Sequence, residues 1–107
     1  MKGVWPEPAE LGLLTDLYEL TMARAYRAEG MNEEAVFSLF FRRLPPNRNF
    51  MLACGQEYAA RLMTGLRFPR AQVQRLASLE LFDDDFLGWL EDFRFSGDIH
   101  ALPEGTP

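Results

Sequence analysis

The sequence contains few of the residues from which self-contained chemical sites are built. Its single cysteine, Cys54, allows neither an internal disulfide nor a zinc site, and His100 is its single histidine. It has no apolar run of about 18 residues that could span a bilayer. The N-terminus also lacks the apolar segment of a signal peptide. We therefore expect a cytoplasmic protein with no membrane association.

Positive charge is also scarce. The formal net charge is −5 and the isoelectric point is near 4.8, which opposes nucleic-acid binding because that function needs a basic surface. Lys2 is the single lysine among eleven basic residues. Arginine makes planar bidentate contacts with carboxylate and phosphate that lysine cannot copy. A GC-rich genome, which favours arginine codons, is the alternative explanation of this bias.

The length and composition describe one globular domain. The chain has 107 residues, of which 48% are hydrophobic and 25% charged. We divide it into a loose lead-in over residues 1–10 and one domain over residues 11–107. The predicted element order is helix, strand, three helices and strand, which is an α+β fold. Since two strands are too few for a free-standing sheet, we expect further protein or a partner to complete it.

Helix signals divide most of the domain. Asp16 and Glu19 form a capping-box pattern before a helix over residues 17–28, and Gly30 closes its far end. Three more helices are predicted: one over residues 50–64 with Gly65 as its cap, one beginning at Pro69, and one capped by Asp83. The run of three aspartates at 83–85 is explained by that helix start and its dipole, and a metal site there is the weaker alternative.

Residues 35–42 alternate in the manner of a strand. Ala35, Phe37, Leu39 and Phe41 share one face, which is apolar and is predicted to be buried. A turn or loop follows in the proline-rich segment at residues 45–49. Residues 98–102 alternate weakly and are predicted to form a short second strand.

Two patterns suggest contact with a ligand. Tyr18 occupies the first turn of the first predicted helix, where an aromatic ring could stack on a flat anion. Arg42 and Arg43 end the first predicted strand, and Arg48 precedes the second predicted helix, so their guanidinium groups could grip phosphate or pyrophosphate. The alternatives are an ordinary amphipathic helix start and a strand end that charge and proline keep solvated.

Three motifs, taken in order, resemble one enzyme family. They are Leu14-Thr15-Asp16-Leu17-Tyr18 with Thr21-Met22, then the run from Phe37 to Pro45 followed by Arg48, Phe50 and Ala53-Cys54-Gly55, and finally Ala101-Leu102-Pro103-Glu104-Gly105-Thr106. Together they cover residues 11–107 and resemble the N-terminal domain of nicotinate phosphoribosyltransferase. In that family an irregular α/β barrel, which this chain lacks, normally completes the helix-rich N-terminal α/β domain.

The resemblance implies an enzyme that joins nicotinate to phosphoribosyl pyrophosphate. The products are nicotinate mononucleotide and pyrophosphate, with Mg²⁺ and coupled ATP hydrolysis, in NAD salvage. The resemblance also implies a homodimer whose sites lie between subunits. A non-catalytic interaction domain of the same ancestry and the nicotinamide-specific relative are the alternatives.

Roles are transferred by matching motif positions. Tyr18 matches the tyrosine that stacks on the pyridine ring in a site shared with the partner subunit, and Asp16 matches the acidic residue beside it. Arg42 matches the arginine on the phosphoribosyl pyrophosphate side, while Arg43 and Arg48 match less closely. The phosphorylated histidine of the family has no counterpart in this chain. We therefore expect no catalytic or metal-binding residue here, ATP and Mg²⁺ to bind only the full-length enzyme, and this polypeptide alone to be inactive.

Overall fold

The computed structural model describes residues 3–107, and within that range the regular structure is entirely helical. A short 3-10 helix spans Pro8–Glu10, and four α-helices follow: α1 (Leu17–Ala28), α2 (Gln56–Thr64), α3 (Arg70–Ala77) and α4 (Asp84–Asp92). Most of the predicted loose lead-in is therefore aperiodic except for one helical turn. Its first two residues lie outside the described range.

Helix α1 has the bounds that the sequence predicts and Asp16 at its N-cap position, but the predicted capping box does not form. Asp16 has the extended backbone of an N-cap, at φ −74° and ψ 143°, yet its side chain makes no capping hydrogen bond. The far end closes as expected, because Gly30 adopts a left-handed φ of 67° and its N–H donates to the carbonyl of Arg27 at 3.1 Å.

Helix α2 begins later than predicted, at Gln56 rather than residue 50. Gly55 has a left-handed φ of 96°, so the chain cannot run through it as a right-handed helix. The predicted cap at Gly65 is confirmed. At α4 the predicted capping role of Asp83 is also confirmed, because its carboxylate accepts a hydrogen bond of 2.8 Å from the N–H of Phe86.

The core lies where α1, α3 and α4 meet. Its buried side chains are Leu20, Phe68, Val73, Leu76, Phe82, Phe86, Leu87 and Leu90. Phe86, 1% exposed, is the most deeply buried. Its ring centre lies 5.3 Å from that of Phe82 and 5.6 Å from that of Trp89. A row of aromatic rings on α4 and the loop before it therefore forms the centre of the packed region.

Polar contacts add α1 to this core. The guanidinium of Arg24 donates to the carbonyl of Leu81 at 2.6 Å. Arg27 makes two hydrogen bonds to Asp85, at 3.0 and 3.4 Å, and lies 5.4 Å from the ring centre of Trp89. Because the ion pair between Arg27 and Asp85 is solvent-exposed, it adds little stability. Its main effect is to orient α1 on α4.

Both predicted strands are wrong for the chain that the structure describes. Every residue from 31 to 50 is exposed, so the apolar face at residues 35–41 is not buried as predicted. Phe37 is 92% exposed and Leu39 98% exposed. Residues 98–102 are likewise outside regular structure. A strand needs a neighbouring strand for its N–H and C=O groups, and neither segment has one among residues 3–107.

The molecule is therefore more open than its length implies. Its radius of gyration is 17.0 Å, whereas a compact domain of this length has about 13 Å. The extended limb at residues 31–50 accounts for exposed apolar surface outside the helical core. We correct the fold class accordingly: the described residues form a small helical domain with a long exposed limb.

Core packing is tested by replacing Phe86. We expect Phe86→Ala to lower the free energy of unfolding by about 3–5 kcal/mol, because it removes a buried ring and leaves a cavity. The matched control is Phe37→Ala, which should change it by less than about 0.5 kcal/mol. Urea unfolding followed by circular dichroism measures both. Equal losses in the two variants would show that the core lies elsewhere.

The exposed limb predicts self-association. Contiguous apolar side chains on an unpaired extended segment favour contact with other chains. We expect the weight-average mass in sedimentation velocity to rise with concentration, and Phe37→Ser combined with Leu39→Ser to reduce that rise. A wild-type chain that stayed monomeric throughout a concentration series would contradict this expectation.

Candidate functional site

Tyr18 lies in the first turn of α1 with 56% of its surface exposed. Its ring is outside the buried core. The neighbouring Glu19 carboxylate raises the pKa of the Tyr18 phenol, chiefly through a hydrogen bond and also through its negative charge. Tyr18 therefore presents a neutral, accessible aromatic ring at neutral pH, as stacking on a flat ligand requires.

Asp16 stands just ahead of α1 and is exposed. Since its carboxylate does not cap the helix, it stays available for an external donor. Asp16 precedes Tyr18 by two residues, so the helix start presents an acidic group and an aromatic ring close together in sequence.

The predicted arginines lie on an exposed segment that we call the arginine loop, residues 42–52. Its centre is a tight turn, in which the N–H of Arg48 donates to the carbonyl of Pro45 at 3.2 Å and Asn47 adopts a left-handed φ of 66°. This turn confirms the prediction made from the proline-rich segment. Within residues 3–107, Arg42, Arg43 and Arg48 form no ion pair, so their guanidinium groups are available to an external anion.

The structure does not unite these two groups of residues. No hydrogen bond, ion pair or ring contact within the described chain joins Tyr18 or Asp16 to the arginine loop. A shallow cavity of about 360 Å³ lies elsewhere, lined by Asn32, Trp89, Asp92, Phe93, Arg94 and Ser96. The described residues thus carry two separate exposed surfaces with suitable chemistry rather than one enclosed pocket.

The arginine loop ends in a set of hydrogen bonds that we call the clamp, between residues 53–57 and residues 102–106. The N–H of Ala53 donates to the carbonyl of Thr106 at 2.7 Å, and the N–H of Gly105 donates back to the carbonyl of Ala53 at 2.8 Å. The side-chain amide of Gln56 donates to the carbonyl of Leu102 at 3.2 Å. The clamp therefore joins two segments about fifty residues apart.

Glu104 supplies the charged group of the clamp. Its carboxylate accepts hydrogen bonds from the N–H of Gly55 and, at 3.3 Å, from the N–H of Glu57. These backbone N–H groups hold the pKa of Glu104 below its ordinary value, the Gly55 bond contributing most. The negative charge also suits the positive end of α2. Glu104 thus caps a helix whose own N-cap residue, Gly55, has no side chain.

Sequence reasoning missed this role of Glu104. The local signal is a glycine directly before α2, which leaves the first N–H groups of the helix without a nearby partner. No local pattern names the residue that provides the missing acceptor, because Glu104 lies 49 positions from Gly55. Cys54 lies beside this clamp and is exposed, so it is not one of the small residues of the core.

The described residues contain no cluster of side chains that would by itself enclose a metal ion. Among residues 3–107, no three His, Cys, Asp or Glu side chains are gathered as metal ligands would be. The Asp83 carboxylate is instead engaged at the start of α4.

Comparison with known proteins identifies the family. The family model for the nicotinate phosphoribosyltransferase (NAPRTase) N-terminal domain matches residues 13–107. The nicotinate phosphoribosyltransferase pncB2 of Mycobacterium tuberculosis is 48% identical over 94 residues, which cover 88% of this chain and 20% of that protein. The human nicotinate phosphoribosyltransferase is 43% identical over 98 residues, covering 88% of this chain and 18% of that protein.

This chain belongs to the nicotinate phosphoribosyltransferase N-terminal domain family. It spans about a fifth of the length of the curated relatives that it matches. No solved structure matches it. Of the described helices, even the longest, α1 with 12 residues, falls short of what a membrane crossing requires, and none could make one.

The stability of the clamp should depend on pH. Because the folded-state pKa of Glu104 is lowered, its contribution to stability is fully present above the ordinary glutamate value of 4.5 and is lost as the pH falls through the folded-state value. We expect hydrogen exchange of the Gly55 amide, corrected for its intrinsic pH dependence, to lose protection on acidification. Glu104→Gln should remove that pH dependence. Unchanged protection across the titration would contradict the assignment.

Proposed function

We propose that this chain is the N-terminal part of an enzyme that forms nicotinate mononucleotide and pyrophosphate from nicotinate and phosphoribosyl pyrophosphate, in NAD salvage. The observation that carries the proposal is the exposed Tyr18 ring at the start of α1, in a chain that belongs to this family. The matched relatives are named for nicotinate and phosphoribosyl transfer, which supports both substrates.

In this proposal Tyr18 holds the nicotinate ring. Its neutral phenol adds no negative charge against the carboxylate of nicotinate, and its face offers a flat apolar surface. Stacking would fix the attacking ring nitrogen at a short distance from the sugar carbon that it attacks. Asp16, next to this ring along the chain, would accept a hydrogen bond within the same site. Because Tyr18 is exposed, the opposite wall of the site must come from other parts of the enzyme, and we propose the partner subunit of a homodimer.

The arginine loop would act on the other substrate. Nicotinate attack releases pyrophosphate while positive charge develops on the sugar, so fixed cations near the leaving group lower the barrier. Arg42, Arg43 and Arg48 are unpaired and exposed within the described chain, and bidentate guanidinium contacts suit phosphate oxygens. Arg42 is the principal candidate. Mg²⁺ and ATP would be held by parts of the enzyme outside this domain.

The remaining part of the enzyme would cover the exposed limb. Residues 35–41 have the alternation of a strand but no neighbour, and the matched relatives are about five times longer than the segment shared with this chain. We propose that an α/β barrel completes this domain and supplies the residues that carry out the reaction. This chain alone would then show no transferase activity.

The role of Tyr18 is tested in a full-length enzyme that contains this domain. We expect Tyr18→Ala to raise the KM for nicotinate roughly 3- to 10-fold, since aromatic pairs contribute about 0.5–1.5 kcal/mol. Tyr18→Phe should keep the KM near that of the wild type. The KM for phosphoribosyl pyrophosphate should change little in either variant.

The matched control is Tyr26→Ala, because Tyr26 lies on the same helix with 45% of its surface exposed and has no predicted role. Steady-state kinetics with varied nicotinate makes the comparison. If Tyr18→Ala and Tyr26→Ala gave the same KM for nicotinate as the wild type, Tyr18 would not lie in the site and the proposal would lose its main support.

A further inference from the structure

We propose that Glu104 is a positioning residue, which holds the arginine loop in place by tying the end of that loop to the segment at residues 102–106. The consequence for catalysis rests on the function proposed above. The claim that Glu104 holds the loop does not rest on that function, because it concerns only the hydrogen bonds of the clamp and the mobility of the loop.

The arginine loop has one attached end. On its N-terminal side it continues into residues 35–41, which are exposed and make no hydrogen bond with the rest of the described chain. On its C-terminal side it reaches Ala53, which exchanges two backbone hydrogen bonds with Thr106 and Gly105. Arg48 stands only five residues before Ala53. The position of the loop relative to the helical core is therefore decided at the clamp.

Glu104 is the clamp residue whose charged side chain binds the start of α2. The bonds of Ala53 use only backbone atoms, which any sequence offers, whereas Glu104 places one carboxylate against the N–H groups of both Gly55 and Glu57. Charge-assisted bonds of this kind are about twice as strong as neutral ones. Gly55 also needs its left-handed backbone, at φ 96°, to turn the chain from the loop into α2.

Loss of the carboxylate should loosen the loop without unfolding the domain. Glu104 is exposed and has no part in the core formed by α1, α3 and α4. A looser loop leaves more conformational entropy to be lost when its guanidinium groups gather around a phosphate. The arginines would remain chemically intact, so the expected effect is weaker anion binding rather than a change in the reaction itself.

The experiment compares four forms of this 107-residue chain by NMR, below the concentration at which it associates. The forms are the wild type, Glu104→Gln, Glu104→Asp and the control Glu34→Gln, which removes an exposed carboxylate that makes no hydrogen bond or ion pair within residues 3–107. Order parameters from ¹⁵N relaxation are measured for residues 45–53 and for α3 and α4, together with exchange of the Gly55 amide.

We expect Glu104→Gln to lower the order parameters of residues 47–53 toward the flexible range, below about 0.6, and to speed exchange at Gly55 about tenfold. Helices α3 and α4 should not change, and Glu34→Gln should match the wild type. Glu104→Asp keeps the charge but is one methylene shorter, so its order parameters should lie between those of the wild type and Glu104→Gln. If Glu104→Gln fails to keep the folded core, Glu104→Asp takes its place in the comparison. Unchanged order in residues 47–53 of the Glu104 variants would overturn the proposal.

A second measurement separates this proposal from the function on which it builds. Inorganic pyrophosphate is titrated into the wild type, Glu104→Gln, Arg42→Ala and the control Arg70→Ala by calorimetry. Weaker binding in both Arg42→Ala and Glu104→Gln supports the clamp as a positioning device for the anion site. If Arg42→Ala binds as the wild type does, the proposed role of the arginine loop fails, while the relaxation data still decide whether Glu104 holds the loop.

Discussion

The packing of Phe86 against Phe82 and Trp89 is the contact on which the rest of this small domain depends. These rings lie on α4 and the loop before it, and α1 and α3 each bury side chains in the same cluster. With only eight buried hydrophobic residues in the described chain, little other apolar burial offsets the conformational entropy of ordering the backbone. The exact direction of α1, and hence of the Tyr18 ring, follows from this packing and from the Arg27–Asp85 pair.

The small core does not bring the two parts of the candidate site, the start of α1 and the arginine loop, together. Tyr18 and Asp16 are attached to the core through α1, whereas the long-range hydrogen bonds that hold the end of the arginine loop are those of the clamp at the start of α2. Nothing within residues 3–107 brings the two together. This arrangement is what a domain that contributes one wall of a composite site would show, and it agrees with a chain that spans about a fifth of its relatives. The site would be complete only when other surfaces approach both parts.

Much of the helical structure follows from local chemistry that can be read in the sequence. Asp83 predicts the start of α4 because a carboxylate one turn ahead satisfies free N–H groups, and Gly30 and Gly65 predict helix ends because they end a helix at little steric cost. The residues proposed for the site were also chosen from the sequence, since Tyr18 and the three arginines stand in motifs that resemble the family. The late start of α2 was missed, because only the left-handed backbone of Gly55 shows that a helix cannot continue through residue 55.

What the sequence by itself determined is the set of helices, the family and the residues proposed to meet substrate, because caps, periodicity and motifs are local properties of the chain. What only the tertiary structure decided is which partners distant segments have. The alternation at residues 35–41 is real, but a strand requires a neighbour, and no described segment provides one. Conversely, Glu104 carries no local signal, yet it caps a helix nearly fifty residues earlier. Both outcomes depend on contacts between remote parts of the chain, which local patterns do not specify.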